Sequence, residues 1–135
     1  MTTHPRPLEL SLQPQHLAIS RLASNAPIPT WATHGSFFSV TRTSDELSIV
    51  AEESLTPAGL QSQPGWRALK VHGPFAFTEI GVISALAAPL AEAKISLFVV
   101  STFDTDYLLL ASVDLAAAIS TLEQAGHTIH RSDSE

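Results

Sequence analysis

Alternating hydrophobic and polar residues in the first half of the chain predict short β-strands. Leu8, Leu10 and Leu12 alternate with polar residues, which is the period of a half-buried strand. Apolar runs at 16–22, 37–40 and 47–50 predict three more strands, the last two as a hairpin around residues 43–46. Residues 54–65 hold prolines and glycines among polar residues, so they predict a connection. The first half is therefore expected to be rich in strands and poor in helix.

Helical spacing appears twice in the second half. The apolar stripes are Ile80, Ile83, Leu86 and Leu90, and then Leu115, Ala118, Ile119 and Leu122. They predict helices over about 79–93 and 115–125, between strands at 66–71, 95–100, 107–112 and 128–130. Asp114 and Gly126 suit the N-cap and the C′ position of the second helix. Pro89 falls inside the first helix, where proline costs about 3 kcal/mol, so we expect a kink.

The order βαββαβ is that of the ferredoxin-like arrangement, in which two helices pack on one face of an antiparallel sheet. The sequence therefore predicts an α+β fold. We expect tandem copies of it, a degenerate and helix-poor first copy over residues 7–62 and a complete copy over residues 66–131.

The composition argues against several kinds of partner. Thirteen acidic residues against seven basic ones give a formal charge of -6 without a Lys/Arg cluster, so nucleic acid is not expected as a partner. The most apolar stretch, at 80–90, is shorter than the roughly 20 residues of a bilayer span, so no membrane association is expected. The N-terminus has no signal-type pattern. The absence of cysteine fits a cytoplasmic location.

The sequence does not favour an enzyme. Ser101, His72 and Asp104 are the residues that a hydrolase would enlist, but the chain has neither a GxSxG elbow nor the phosphate-binding motifs GxGxxG and GxxxxGK[ST]. His127 and His130 are three residues apart in a predicted strand and tend to face opposite ways. We therefore expect neither a cofactor nor a metal site.

Two segments carry a recognisable pattern. They are Phe-Thr-Glu-Ile-Gly-Val-Ile at 77–83, at the start of the first predicted helix, and Ser-Thr-Phe-Asp-Thr-Asp-Tyr at 101–107, after the next strand. With Ala-Pro-Leu-Ala-Glu-Ala at 88–93, they resemble the ACT-like domains of aspartate kinases and, more closely, of CASTOR-type arginine sensors. Residues 37–41 and 46–53 are similar to the preceding copy in that family.

The resemblance implies a non-enzymatic, regulatory ACT-like protein that binds an amino acid, arginine or another, between a helix N-terminus and the facing loop. Glu79, Thr102, Phe103 and Asp106 fall where the arginine sensors place pocket residues. The whole predicted ligand site comprises Phe77, Thr78, Glu79, Ile80, Gly81, Ser101, Thr102, Phe103 and Asp106. The sensors carry glycine where this chain has Ala76, so the resemblance leaves the amino acid open. They also have four copies, and a homodimer would restore the missing surfaces.

The same residues have structural explanations. Thr78 and Glu79 suit the capping of a helix, and Asp104 suits a turn between two strands, which leaves Asp106 for the pocket. Phe103 is either core or a cover for the ligand. The alternative function is a constitutive dimerisation or interaction module that binds no ligand.

Overall fold

The computed structural model describes residues 7–73 and 81–131. Within them the strands are β1 (Glu9–Leu12), β2 (Leu17–Leu22), β3 (Ser39–Arg42), β4 (Leu47–Glu52), β5 (Gln61–Val71), β6 (Phe98–Ser101), β7 (Asp106–Ala111) and β8 (Thr128–His130). The α-helices are α1 (Val82–Glu92) and α2 (Leu115–Gln124). The chain divides into two compact units, Gln15–Trp66 and Met1–Pro14 together with Arg67–Glu135.

The unit Gln15–Trp66 is an antiparallel sheet. Its strands lie in the order β3, β4, β2 and then the first part of β5, so the predicted hairpin of β3 and β4 is confirmed. Helix is limited in this unit to the 3₁₀ turns Thr30–Thr33 and Glu53–Leu55. Its small core contains the buried residues Ala32, Leu47, Ile49 and Ala51, with Trp31 and Val40 packed against them.

Strand β5 begins earlier than the sequence predicts, because a β-bulge accommodates two residues that suggest a turn. Leu17 pairs with Trp66 and Ile19 with Gln63, so Pro64 and Gly65 together oppose a single residue of β2. Proline has no N–H to give to a ladder, and Gly65 has φ +83, which favours glycine. Residues 61–65 therefore belong to a strand and not to the predicted connection.

The other unit has the predicted α+β architecture. Its strands lie in the order β6, β7, β5, β1 and β8, with β1 antiparallel to β5 and parallel to β8. Both helices contribute to its core, whose fully buried leucines are Leu10, Leu69, Leu86, Leu90, Leu108, Leu110 and Leu122. Neither described helix has the length and apolarity that a membrane span needs.

Strand β1 lies in the same compact unit as the later residues. It pairs with Leu69–Val71 of β5 on one side and with β8 on the other. The sequence instead places residues 7–14 in the predicted first copy, because neighbours in sequence are usually neighbours in space. A division into copies at 7–62 and 66–131 stays a prediction.

Helix α1 begins at Val82, about three residues later than predicted. Gly81 is its N-cap with φ 84, a left-handed conformation that glycine adopts without strain. The helix continues past Pro89 to Glu92. Helix α2 follows a 3₁₀ turn at Ser112–Asp114, and Asp114 occupies the N-cap without a side-chain capping bond.

Candidate ligand site at the β6–β7 turn

The structure describes part of the predicted ligand site. Phe77, Thr78, Glu79 and Ile80 lie outside the described residues. Gly81 is described at the start of α1, where the first-turn amides of Val82 to Ser84 have no acceptors within the helix. Amides in that position favour a carboxylate, because they lie at the positive end of the helix dipole. Ser101, Thr102, Phe103 and Asp106 are described at the turn that joins β6 to β7.

The β6–β7 turn is closed by threonines. The backbone N–H of Thr102 donates to the carbonyl of Thr105 at 2.7 Å. The Thr102 hydroxyl donates to the same carbonyl at 3.0 Å and accepts from the backbone N–H of Thr105 at 3.2 Å. Thr102 therefore shapes the turn, a role that the sequence predicts for Asp104.

Thr105 anchors the turn to the sheet. It is buried, and its hydroxyl donates to the carbonyl of Val71, the last residue of β5, at 2.6 Å. The turn is thereby fixed beside the end of β5, from which residues 74–80 lead to the start of α1. The sequence alone does not predict this role, because a threonine between two aspartates suggests only an exposed turn.

Asp106 is oriented by its partner across the hairpin. Ser101 and Asp106 pair in the register of β6 and β7, and the Ser101 hydroxyl donates to Oδ1 of Asp106 at 2.5 Å. A carboxylate accepts about four hydrogen bonds, so this bond leaves capacity for an ammonium or a guanidinium group. The Ser101 hydroxyl therefore bonds to Asp106. The hydrolase alternative would instead require it to bond to His72.

Phe103 lies on the surface of the turn. Its side chain is 79% exposed, so core packing does not explain it. An aromatic ring in this position offers a face to a cation or to an aliphatic stem. The described turn thus combines an oriented carboxylate, a second acidic residue at Asp104 and an exposed ring. This combination suits a ligand that carries a positive charge.

A second group of polar residues, not found by the sequence analysis, lies elsewhere in the same unit. Glu9, His72 and His130 are all exposed and converge at the strands β1, β5 and β8. They are far apart in the sequence, so no local motif connects them.

Two family models match the chain. Residues 61–124 match the model described as an ACT domain. Residues 15–58 match a second model, described as an N-terminal domain. The two matches follow each other along the chain.

Relatives are known both by sequence and by structure. The human protein named cytosolic arginine sensor for mTORC1 subunit 1 is 31% identical over 117 residues, covering 81% of this chain and 35% of the sensor. This chain thus spans about a third of the length of that relative. A crystal structure of a protein from Agrobacterium tumefaciens has a TM-score of 0.90 and 41% identity, covering 95% of this chain and 96% of that one.

A more distant structure has the same fold. Aspartokinase III of E. coli, in complex with aspartate and ADP, has a TM-score of 0.63 at 9% identity. The match covers 87% of this chain and 33% of the aspartokinase. At this identity the likeness concerns the fold alone.

Proposed function

We propose that this chain, whose residues 61–124 match the ACT-domain model, is a non-enzymatic regulatory protein that binds an amino acid. The curated relative is named as an arginine sensor, which supports an amino acid as the ligand. That relative is also named as cytosolic, and we propose the same location here. The chain spans only about a third of the sensor. An amino-acid ligand and a regulated partner are therefore proposed for this chain and are not taken over from the whole sensor.

In the proposed site, three parts of the ligand each contact a different kind of protein group. The first-turn amides of α1 receive the carboxylate, because they are donors without intrahelical acceptors. Asp106 receives the ammonium or a cationic side chain, and Phe103 covers the aliphatic part. Residues 77–80 complete the site in this proposal.

One observation carries the proposal most directly. The Ser101 hydroxyl holds Oδ1 of Asp106 at 2.5 Å, on a turn that buried Thr105 ties to the end of β5. A carboxylate fixed in this way loses less conformational freedom when it binds a cation than a free surface carboxylate does. The exposed ring of Phe103 lies on the same turn.

A titration of common amino acids against the purified chain tests the proposal. A ligand at 100 times its dissociation constant should raise the free energy of unfolding by about 2.7 kcal/mol, which a thermal shift detects. Asp106→Asn should abolish the shift while preserving the shape of the side chain. Asp45→Asn is the matched control, since Asp45 is an exposed aspartate of the other unit. If no amino acid changes the melting temperature of the wild type or gives heat in calorimetry, the proposal is wrong.

The exposure of two large apolar side chains favours a second candidate, a constitutive dimerisation module. Phe103 is 79% exposed and Val113 is 92% exposed, and apolar side chains of this kind are common in interfaces between copies. The two candidates differ in what a ligand does. A homodimer whose stability responds to an amino acid supports the sensor, and a stable dimer that ignores every amino acid supports the module. Sedimentation with and without ligand separates them.

A further inference from the structure

Strand register brings two histidines and a glutamate together on the exposed face of the sheet. Leu10 pairs with Val71 in the antiparallel ladder, so Glu9 lies opposite His72, whose backbone N–H donates to the Glu9 carbonyl at 2.8 Å. On the other side of β1, Ser11 pairs with His130 in the parallel ladder. Leu8, Leu10 and Leu12 are buried on the opposite face, so Glu9 and Ser11 point away from the core.

The side chains of this group already contact one another. Nε2 of His130 lies 2.8 Å from Oε1 of Glu9, and the rings of His72 and His130 stack at a centroid distance of 5.3 Å, tilted by 13°. One ligand atom from each of Glu9, His72 and His130 lies within 4.8 Å of the other two. Ser11 Oγ lies 2.5 Å from Nε2 of His72.

We propose that Glu9, His72 and His130 form a binding site for a divalent transition-metal ion, for which Zn²⁺ is the best match. Two imidazoles and one carboxylate are a protein ligand set that zinc uses, with the fourth position of the tetrahedron taken by water. Imidazole with carboxylate also discriminates against Ca²⁺ and Mg²⁺, which take all-oxygen sites.

The rearrangement that the metal requires is small. Two ligands of a tetrahedral zinc ion, each about 2.1 Å from it, lie about 3.4 Å apart. The contact of 2.8 Å between Glu9 and His130 therefore opens by roughly 0.6 Å, and His72 moves toward them. All three side chains are exposed, so rotation about their own bonds achieves this without disturbing the core.

A bound ion would connect three segments that are distant in sequence. Glu9 belongs to β1, His72 follows β5, and His130 ends β8. A metal that binds the folded chain but not the unfolded one raises stability by mass action. The site therefore predicts a metal-dependent gain in stability in addition to binding itself.

Calorimetric titration of Zn²⁺ into the chelator-treated full chain tests this site. The wild type should bind one equivalent at the cluster, and its melting temperature should rise with Zn²⁺. Glu9→Gln and His130→Gln should each weaken Zn²⁺ binding by at least about tenfold. Replacing a residue that only hydrogen-bonds to a metal ligand already lowers metal affinity by about 10- to 100-fold, and these variants replace the ligands themselves. Both variants preserve side-chain size at exposed positions, and circular dichroism checks that they fold.

A matched control separates the cluster from other histidines. His34→Gln changes an exposed histidine of the other unit and should not alter the cluster's affinity for Zn²⁺. The proposal is overturned if the wild type shows no saturable Zn²⁺ binding, or if Glu9→Gln and His130→Gln bind it as tightly as the wild type. In that case Glu9 and His130 form only a hydrogen-bonded pair on the surface, with the ring of His72 stacked on that of His130.

Discussion

His127 supplies to helix α1 the hydrogen-bond donor that Pro89 lacks. Within a regular helix the N–H of residue 89 would bond to the carbonyl of Ala85, but proline has no N–H. Nε2 of the buried His127 lies 3.2 Å from that carbonyl oxygen. Since a carbonyl only accepts, Nε2 carries the hydrogen. Nδ1 of the same ring accepts the backbone N–H of Leu8 at 3.1 Å, so both ring nitrogens satisfy buried backbone groups.

Replacing His127 by phenylalanine should strongly destabilise the chain. The ring volume is largely preserved, but the carbonyl of Ala85 and the N–H of Leu8 both lose their partner in a buried site. Each unsatisfied buried group costs about 1 to 3 kcal/mol, so for the two groups we expect a loss of about 2 to 6 kcal/mol in urea denaturation. The exposed His34→Gln should change stability by less than about 0.5 kcal/mol. A loss for His127→Phe as small as this control would contradict the role assigned to the imidazole.

Pro89 and His127 should be energetically coupled. Pro89→Ala restores a helical N–H that reaches the Ala85 carbonyl, so that carbonyl keeps a donor when His127 is removed. The cost of His127→Phe should therefore be smaller by about 1 kcal/mol in the Pro89→Ala background than in the wild type. A double-mutant cycle in urea measures this difference, and strict additivity would argue against it.

Lys94→Gly should stabilise the chain by about 0.5 to 1 kcal/mol. Lys94 has φ 62 directly after the C-cap of α1, where its N–H bonds to Ala91 and the N–H of Ile95 bonds to Leu90. Helix α2 ends in the same arrangement, but there Gly126 occupies the left-handed position. Glycine removes the strain that the lysine Cβ carries.

Lys94→Ala is the control for the conformational origin of this gain. It removes the charge and the long side chain but keeps the Cβ, so it should not reproduce the stabilisation. Thermal denaturation of both variants gives the comparison. Equal stabilisation by alanine and glycine would place the cause in the lysine side chain and not in its backbone.

Thr105→Val should destabilise the chain by about 1 to 3 kcal/mol. Valine has the shape of threonine, but it leaves the carbonyl of Val71 without the hydroxyl that donates to it at 2.6 Å. Thr41→Val, at an exposed position of β3, is the control and should be nearly neutral. Chemical denaturation measures both. If the two substitutions cost the same, the buried hydroxyl does not anchor the β6–β7 turn.

Local pattern was sufficient for the α+β fold and for most of its elements. The two apolar stripes predicted α1 and α2, and alternation predicted the strands, because helical and extended backbones expose their side chains with different periods. The same logic failed at residues 61–65, where Pro64 and Gly65 suggest a turn and a bulge keeps them in a strand. A bulge depends on the partner strand, which periodicity does not record.

In the β6–β7 turn, local sequence was informative only for residues that lie close together along the chain. Ser101 and Asp106 lie in one hairpin, and the structure pairs them as the spacing allows. The residues that shape and anchor the turn were harder to predict from sequence. Thr102 and not Asp104 closes the turn, and the Thr105 hydroxyl donates to a carbonyl of another strand. The ligand-binding role of every predicted site residue, including 77–80, stays a prediction.

The sequence by itself determined the elements, the ACT-like pattern and the position of the acidic, aromatic turn. Only the tertiary structure decided that β1 lies between β5 and β8. It also decided that Glu9 hydrogen-bonds to His130, 121 positions away, and that His127 hydrogen-bonds to the carbonyl of Ala85, 42 positions away. The physical reason is that hydrophobic period acts within one segment. Strand register and buried hydrogen bonds instead join groups whose separation along the chain leaves no local signal.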